Sequence, residues 1–241
     1  MIDTRKLLEQ FLGAGNMPGQ ARNPVDQTGQ PRQGNQSPLE GLFPGNGSFA
    51  GGAAMGGILG LLLGSKKVRK MTGGLVGYGG AAAIGALAHK AYQNYQQGNQ
   101  VASAPVANAA DLAQVDPRFV PGSTTNDGNF SLSLISAMIG AAKADGHIDA
   151  REQTAIFEHV EKLGLDAESK AFVFDALNKP ADMATITAAV QGVEQATEMY
   201  LVSRLIADGD HPGERMYMEA LAHRLNLPKD LVAHLEHQVG A

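Results

Sequence analysis

The sequence predicts an all-α protein, with a seven-helix bundle of duplicated helical pairs behind a glycine-rich membrane hairpin and disordered linkers. Three observations carry this prediction. Apolar residues recur at helical spacing from residue 130 to 239, and no run alternates as a strand would. Two Asp-Gly turns, at Asp145-Gly146 and Asp208-Gly209, stand 63 positions apart in matching contexts. Between residues 49 and 88, small residues repeat every four positions on either side of a basic turn.

Residues 1–12 come first. Leu7, Leu8, Phe11 and Leu12 share one helical face, and Asp3 or Thr4 stands where a cap belongs. A helix this short is marginal alone in water. It therefore rests on a membrane surface or a partner, or it is a frayed terminus. Residues 13–48 are rich in Gly, Pro, Asn and Gln, a composition that buries too little apolar surface to offset chain entropy. They read as a disordered linker. The apolar stretch at the N-terminus is short and broken by Lys6, Glu9 and Gln10, unlike a signal peptide.

The 49–88 stretch reads as membrane segments. Gly52, Gly56, Gly60 and Gly64 line one arm; Gly73, Gly77, Ala81 and Gly85 line the other. Residues four apart share a helix face, and grooves of small residues let helix backbones approach closely in lipid. The first groove is also a candidate homo-oligomer contact. A bilayer core needs roughly 20 helical residues; both arms are shorter, so they are expected to insert as a pair, or as one span beside a partial one. Tyr92 and Tyr95 would anchor the second arm at the interface. Lys66, Lys67, Arg69 and Lys70 should stay cytoplasmic. That places the C-terminal half on the far side of the membrane from the basic turn. The alternative is a soluble glycine-rich segment. Residues 98–129, with Asp116-Pro117 and Pro121-Gly122 as turn signals, read as a flexible linker.

Residues 130–241 form the globular part. Leu132, Ile135, Met138, Ile139 and Ala142 make one stripe; Ile156, Val160 and Leu163 a second; Phe172, Val173, Ala176 and Leu177 a third. A short helix follows Asp182. A long one spans Val193–Ala207, a sixth starts at Pro212, and a seventh starts at Pro228. Charge divides unevenly: residues 1–129 carry net +3 and residues 130–241 net −8. The net-acidic half is a poor candidate for binding phosphate, which needs an excess of cations, so no nucleic-acid partner is expected. The chain has no cysteine, which excludes disulfides, thiolate metal sites and thiol nucleophiles.

The repeated turns hold the candidate site. Ala144-Asp-Gly-His-Ile-Asp-Ala-Arg-Glu152 is followed by Leu163-Gly-Leu165, and Ala207-Asp-Gly-Asp-His-Pro-Gly-Glu214 by Leu225-Asn-Leu227. From Asp145 to Glu152 the first turn matches the second half of an EF-hand loop, but Ala141 and Lys143 occupy positions where oxygen ligands belong. Two converging loops could pool carboxylates for calcium or magnesium. The alternative is structural: Gly146 and Gly209 supply turn dihedrals, Asp149 with Glu152 makes a capping pattern, and Asp210 caps the next helix. His147 and His211 lie in the turns, whereas His223, His234 and His237 are expected on solvated helix faces. No nucleophile elbow, phosphate loop or zinc-protease motif is present, and no catalytic residue is assigned.

These turns resemble the TerB-like family, named after tellurite-resistance proteins, and the upstream small-residue segment resembles bacterial inner-membrane proteins of YebE type. The resemblance covers residues 130–241, and residues 50–90 in composition only. It implies a compact helical domain, a role in envelope or chemical stress, and metal binding at Asp145, Asp149, Glu152, Asp208, Asp210 and Glu214. The expected function is a membrane-anchored, non-enzymatic scaffold with an unknown protein partner. A divalent-cation sensor is the alternative, and a metal-dependent hydrolase a remote one.

Overall fold

The computed structural model describes residues 2–12, 80–121, 128–146, 165–207 and 209–240, together with Thr154, Ile156, Phe157, Glu158 and Val160. Among these residues every regular element is a helix: α1 (Thr4–Leu12), α2 (Gly80–Gln96), α3 (Gly128–Ala142), α4 (Ala167–Asn178), α5 (Met183–Thr187), α6 (Gly192–Ile206), α7 (Pro212–Arg224) and α8 (Lys229–Gly240). Short 3-10 turns at Val101–Ser103, Asp111–Gln114 and Pro117–Phe119 lie between α2 and α3. The residues described between 154 and 160 are helical as well, with Ile156 and Val160 buried.

The centre of the bundle is α6, which packs on α2, α3, α7 and α8. Its sequence explains this position. Met199, Leu201 and Val202 are fully buried, as are Thr197 and Ser203 on the same two turns. A helix buried on most of its surface belongs inside a protein or a membrane. The helices expected after Asp182 and from Pro212 start there, and Asp166 supplies a further cap. The Asp182 carboxylate accepts the Ala184 N–H at 3.0 Å and opens α5, Asp166 accepts the Ser169 N–H at 2.8 Å and opens α4, and Pro212 begins α7.

The first half of the chain departs most from expectation. Asp3 caps α1 by accepting the Lys6 N–H at 3.1 Å. Leu7, Leu8, Phe11 and Leu12 are all at most 2 % exposed, because α1 lies against α3 and α2. The cover for its apolar face is the chain's own bundle. Likewise residues 80–88, expected as the end of a membrane arm, begin α2, which packs chiefly on α8 and α6. Ala83, Ile84, Ala86, Leu87 and Ala88 are core residues. The reason is visible at Gly85. A Cβ there would overlap the carbonyl oxygen of Phe119 and stand 3.2 Å from Val115 Cγ1. The small-residue groove does admit a close backbone, but it is the backbone of the following segment rather than a second membrane helix. Tyr92 follows suit, tilted against Phe119 with centroids 5.4 Å apart, and Tyr92 and Tyr95 both pack on the core.

Removing 80–88 leaves nine residues, 71–79, in the second arm, less than half of the roughly 20 a span needs. No helix among the described residues is long and apolar enough to cross a membrane. The first arm, its groove Gly52, Gly56, Gly60 and Gly64, and the basic turn lie outside the described residues.

The segment expected as a flexible linker is, from residue 99 to 121, a strap tied down by side chains of α2 and α8. Gln238 Oε1 accepts the Ala107 N–H at 2.8 Å, and its Nε2 donates to Pro105 O at 3.2 Å. Asn94 Nδ2 donates to the same carbonyl at 2.9 Å, and His237 Nε2 lies 3.0 Å from Ala104 O. Asn94 and Gln238 are buried, so the strap's backbone groups are satisfied where water cannot reach them. Lys90 and Asp111 form a 3.0 Å ion pair across the strap, and Arg118 reaches Glu194 on α6 at 2.9 Å.

Candidate functional site

Two Asp-Gly turns follow two core helices, α3 and α6. Both glycines take positive φ, +90° at Gly146 and +78° at Gly209, which side chains rarely adopt. At the first turn Gly146 N donates to Lys143 O at 2.9 Å. At the second, the Glu214 carboxylate reaches back from the first turn of α7 to accept the Gly209 N–H at 2.9 Å. Glu214 is buried, so this charge-assisted bond holds the turn against the helix that follows it.

The turns meet. A Cβ on Gly213, in the first turn of α7, would overlap the Ala144 carbonyl oxygen. The start of α7 therefore rests directly on the backbone of the first turn. Tyr217, one helical turn on, donates to Ala137 O on α3 at 2.9 Å and fixes the crossing; burial raises its phenol well above its usual range.

The sequence-predicted residues fall as follows. Asp145 lies half-buried in the first turn and Asp210 is exposed in the second. Glu214 has a structural bond, as above. Asp149, Glu152 and Asp208 lie outside the described residues, as does His147. Among the described residues no group of three or more His, Asp or Glu side chains is placed to hold a metal ion. The cap of α7 is His211, whose Nδ1 accepts the Gly213 N–H at 3.2 Å, and not Asp210 as expected. Asp210 instead offers its backbone: Arg215 donates to Gly209 O at 2.8 Å and to Asp210 O at 3.1 Å. The terminal histidines also divide. His223 is exposed, His234 is buried and His237 is half-buried, so only His223 lies on the solvated face expected for all three.

Lys143 is the residue the sequence reading left unexplained. It occupies a position where an EF-hand would carry an oxygen ligand. Its ammonium donates to the carbonyls of Leu177 at 2.7 Å, Lys179 at 2.5 Å and Ala176 at 3.3 Å. These are orphan acceptors at the end of α4, and a cation there also meets the negative end of the helix dipole. Burial pushes the Lys143 amine below its usual range. A comparable clasp ties the second turn to α8. Arg204 donates to Ala207 O at 2.7 Å and to Glu236 at 2.6 Å, and Tyr200 donates to the other Glu236 oxygen at 2.7 Å. Glu198 on α6 is a further buried carboxylate. Its signal was a lone acid between Thr197 and the Met199-Tyr-Leu-Val202 run.

The class of protein defined here is an all-helical domain in which the first turn of α7 rests on the backbone of the turn that ends α3. The chain belongs to the family described as Protein of unknown function (DUF533), matched over residues 48–239; it is a TerB-like family. A protein of Yersinia enterocolitica described as "Uncharacterized protein in ampR 5'region" is 32 % identical over 106 residues, which are 44 % of this chain and 76 % of the relative. No solved structure matches the chain.

Proposed function

We propose that the chain is a non-enzymatic scaffold of YebE type, attached to a bacterial inner membrane through residues within 49–79 and presenting its acidic bundle to a protein partner in envelope or tellurite stress. The observation that supports this reading is how the polar groups around the turns are employed. Lys143, His211, Glu214 and Arg215 all bond to backbone groups of the fold. Side chains held this way build a rigid platform. Fractionation of the full chain tests it: the protein should sediment with membranes and be released by detergent but not by salt. Protease added to sealed vesicles of known orientation reads the side on which the bundle lies: the periplasm if the chain crosses after a cytoplasmic basic turn, the cytoplasm if it does not. Recovery in the soluble fraction refutes the attachment.

A second reading, the divalent-cation sensor, is favoured by the close approach of Gly213, at the start of α7, to the Ala144 carbonyl beside Asp145. It predicts a higher melting temperature of the full chain in millimolar calcium or magnesium than in chelator. Ligand at 100 times its Kd adds about 2.7 kcal/mol. The gain should vanish in the Asp145→Asn/Asp210→Asn double variant, and no shift with calcium, magnesium or zinc sinks the sensor.

A further inference from the structure

Helix α1 and helix α2 lie on either side of residues 13–79, yet both belong to one packed body. Leu7 and Phe11 are completely buried against α3 and α2, and Thr4 Oγ1 lies 3.3 Å from where a Cβ on Gly128 would sit. A chain that crossed a bilayer once between residues 13 and 79 would put α1 and the bundle on opposite faces of a core about 30 Å thick. Leu7, Leu8, Phe11 and Leu12 would then lose their cover, and so would the faces of α2 and α3 beneath them.

We propose that α1 closes its own bundle in the membrane-attached chain, so that residues 13–79 end on the side of the membrane where they began. The proposal rests on the membrane attachment argued above. It removes every arrangement with an odd number of crossings, including a single span by either arm. It also makes the N-terminal helix and the acidic bundle neighbours in one compartment, whichever compartment that is.

The absence of cysteine allows a clean test. In the full chain, Thr4→Cys and Gly128→Cys are introduced together, with a site for a specific protease inserted in residues 13–48. After mild oxidation of isolated membranes and cleavage, the two fragments should stay joined until a reductant is added. In separate single variants, Glu9→Cys on the exposed face of α1 and Glu219→Cys on the exposed face of α7 should react with a membrane-impermeant thiol reagent from the same side of sealed vesicles. Fragments that separate without reductant, or labelling from opposite sides, overturn the proposal. The exposed single variants leave the packing untouched, so they decide the matter even if the double variant misfolds. Recovery of the chain in the soluble fraction refutes the attachment alone, and the crosslink then still reports whether α1 closes the bundle.

Discussion

Phe11→Ala measures how much the bundle depends on α1. The ring is 0 % exposed. A buried phenylalanine removes about 150–250 Å² from water, worth roughly 4–6 kcal/mol at 25 cal/mol per Å². Alanine recovers part of that, and the cavity it leaves adds a cost, so core Phe→Ala changes fall at about 3–5 kcal/mol. For a domain of this size each kcal/mol lowers the melting temperature by about 2–4 °C. The full-length variant should therefore melt about 6–20 °C below the parent in a calorimetric or circular-dichroism scan. Glu9→Ala, on the opposite face of α1 with its side chain 60 % exposed, is the control, expected within about 0.5 kcal/mol of the parent. A helix of nine residues that frayed in solution would carry no such cost. If Phe11→Ala and Glu9→Ala melt together, α1 does not close the bundle, and the topological inference falls with it.

Gly85→Ala tests the reassignment of residues 80–88 through the sign of its effect. Against the Phe119 backbone the added methyl has no room and should cost about 1–3 kcal/mol, read as a lower urea midpoint. On a helix facing lipid or solvent the same change would gain up to about 1 kcal/mol in helix propensity. The strap adds a pH dependence. The Arg118 guanidinium and backbone N–H bond the Asp116 carboxylate and hold its pKa at about 2, against 3.8 normally. Because the folded value is the lower one, its contribution is complete above 3.8 and is lost as pH falls from there through about 2. Arg118→Gln should move the Asp116 titration, followed by NMR, back toward 3.8 and flatten the stability profile between pH 4 and 2.

The C-terminal helices were legible because each carries its own punctuation. Asp182, Pro212 and the glycines at 146 and 209 mark boundaries by local rules, and the stripes through Ile135 and Met138 or Leu231 and Leu235 need only periodicity. What could not be read was which surface covers which. The apolar face of α1 is plain in the sequence, but nothing local says that α3 covers it. The Gly and Ala spacing of residues 80–88 reports close approach without naming what approaches, so a lipid-buried partner and the Phe119 carbonyl leave the same pattern. The strap has the composition of a disordered linker because its order is supplied by other elements, by Asn94 on α2 and by Gln238, more than 130 positions away from Ala107. The candidate site failed in a similar way. Asp210 looked like the cap by residue type, but His211 occupies the capping position, and Lys143 gained its role only from the end of α4.

The pairing of α2 with α8 also orders events in time. The bundle cannot close until residues 229–240 have been made, about 160 residues after the stretch that ends at 79. At about 5–20 residues per second, that is a delay of roughly 8–30 s. Until then the face of α2 that will meet α8 stays uncovered. Residues 49–79 therefore meet whatever they are going to meet, whether lipid, chaperone or another chain, well before the domain behind them exists. Any attachment made there precedes closure of the bundle.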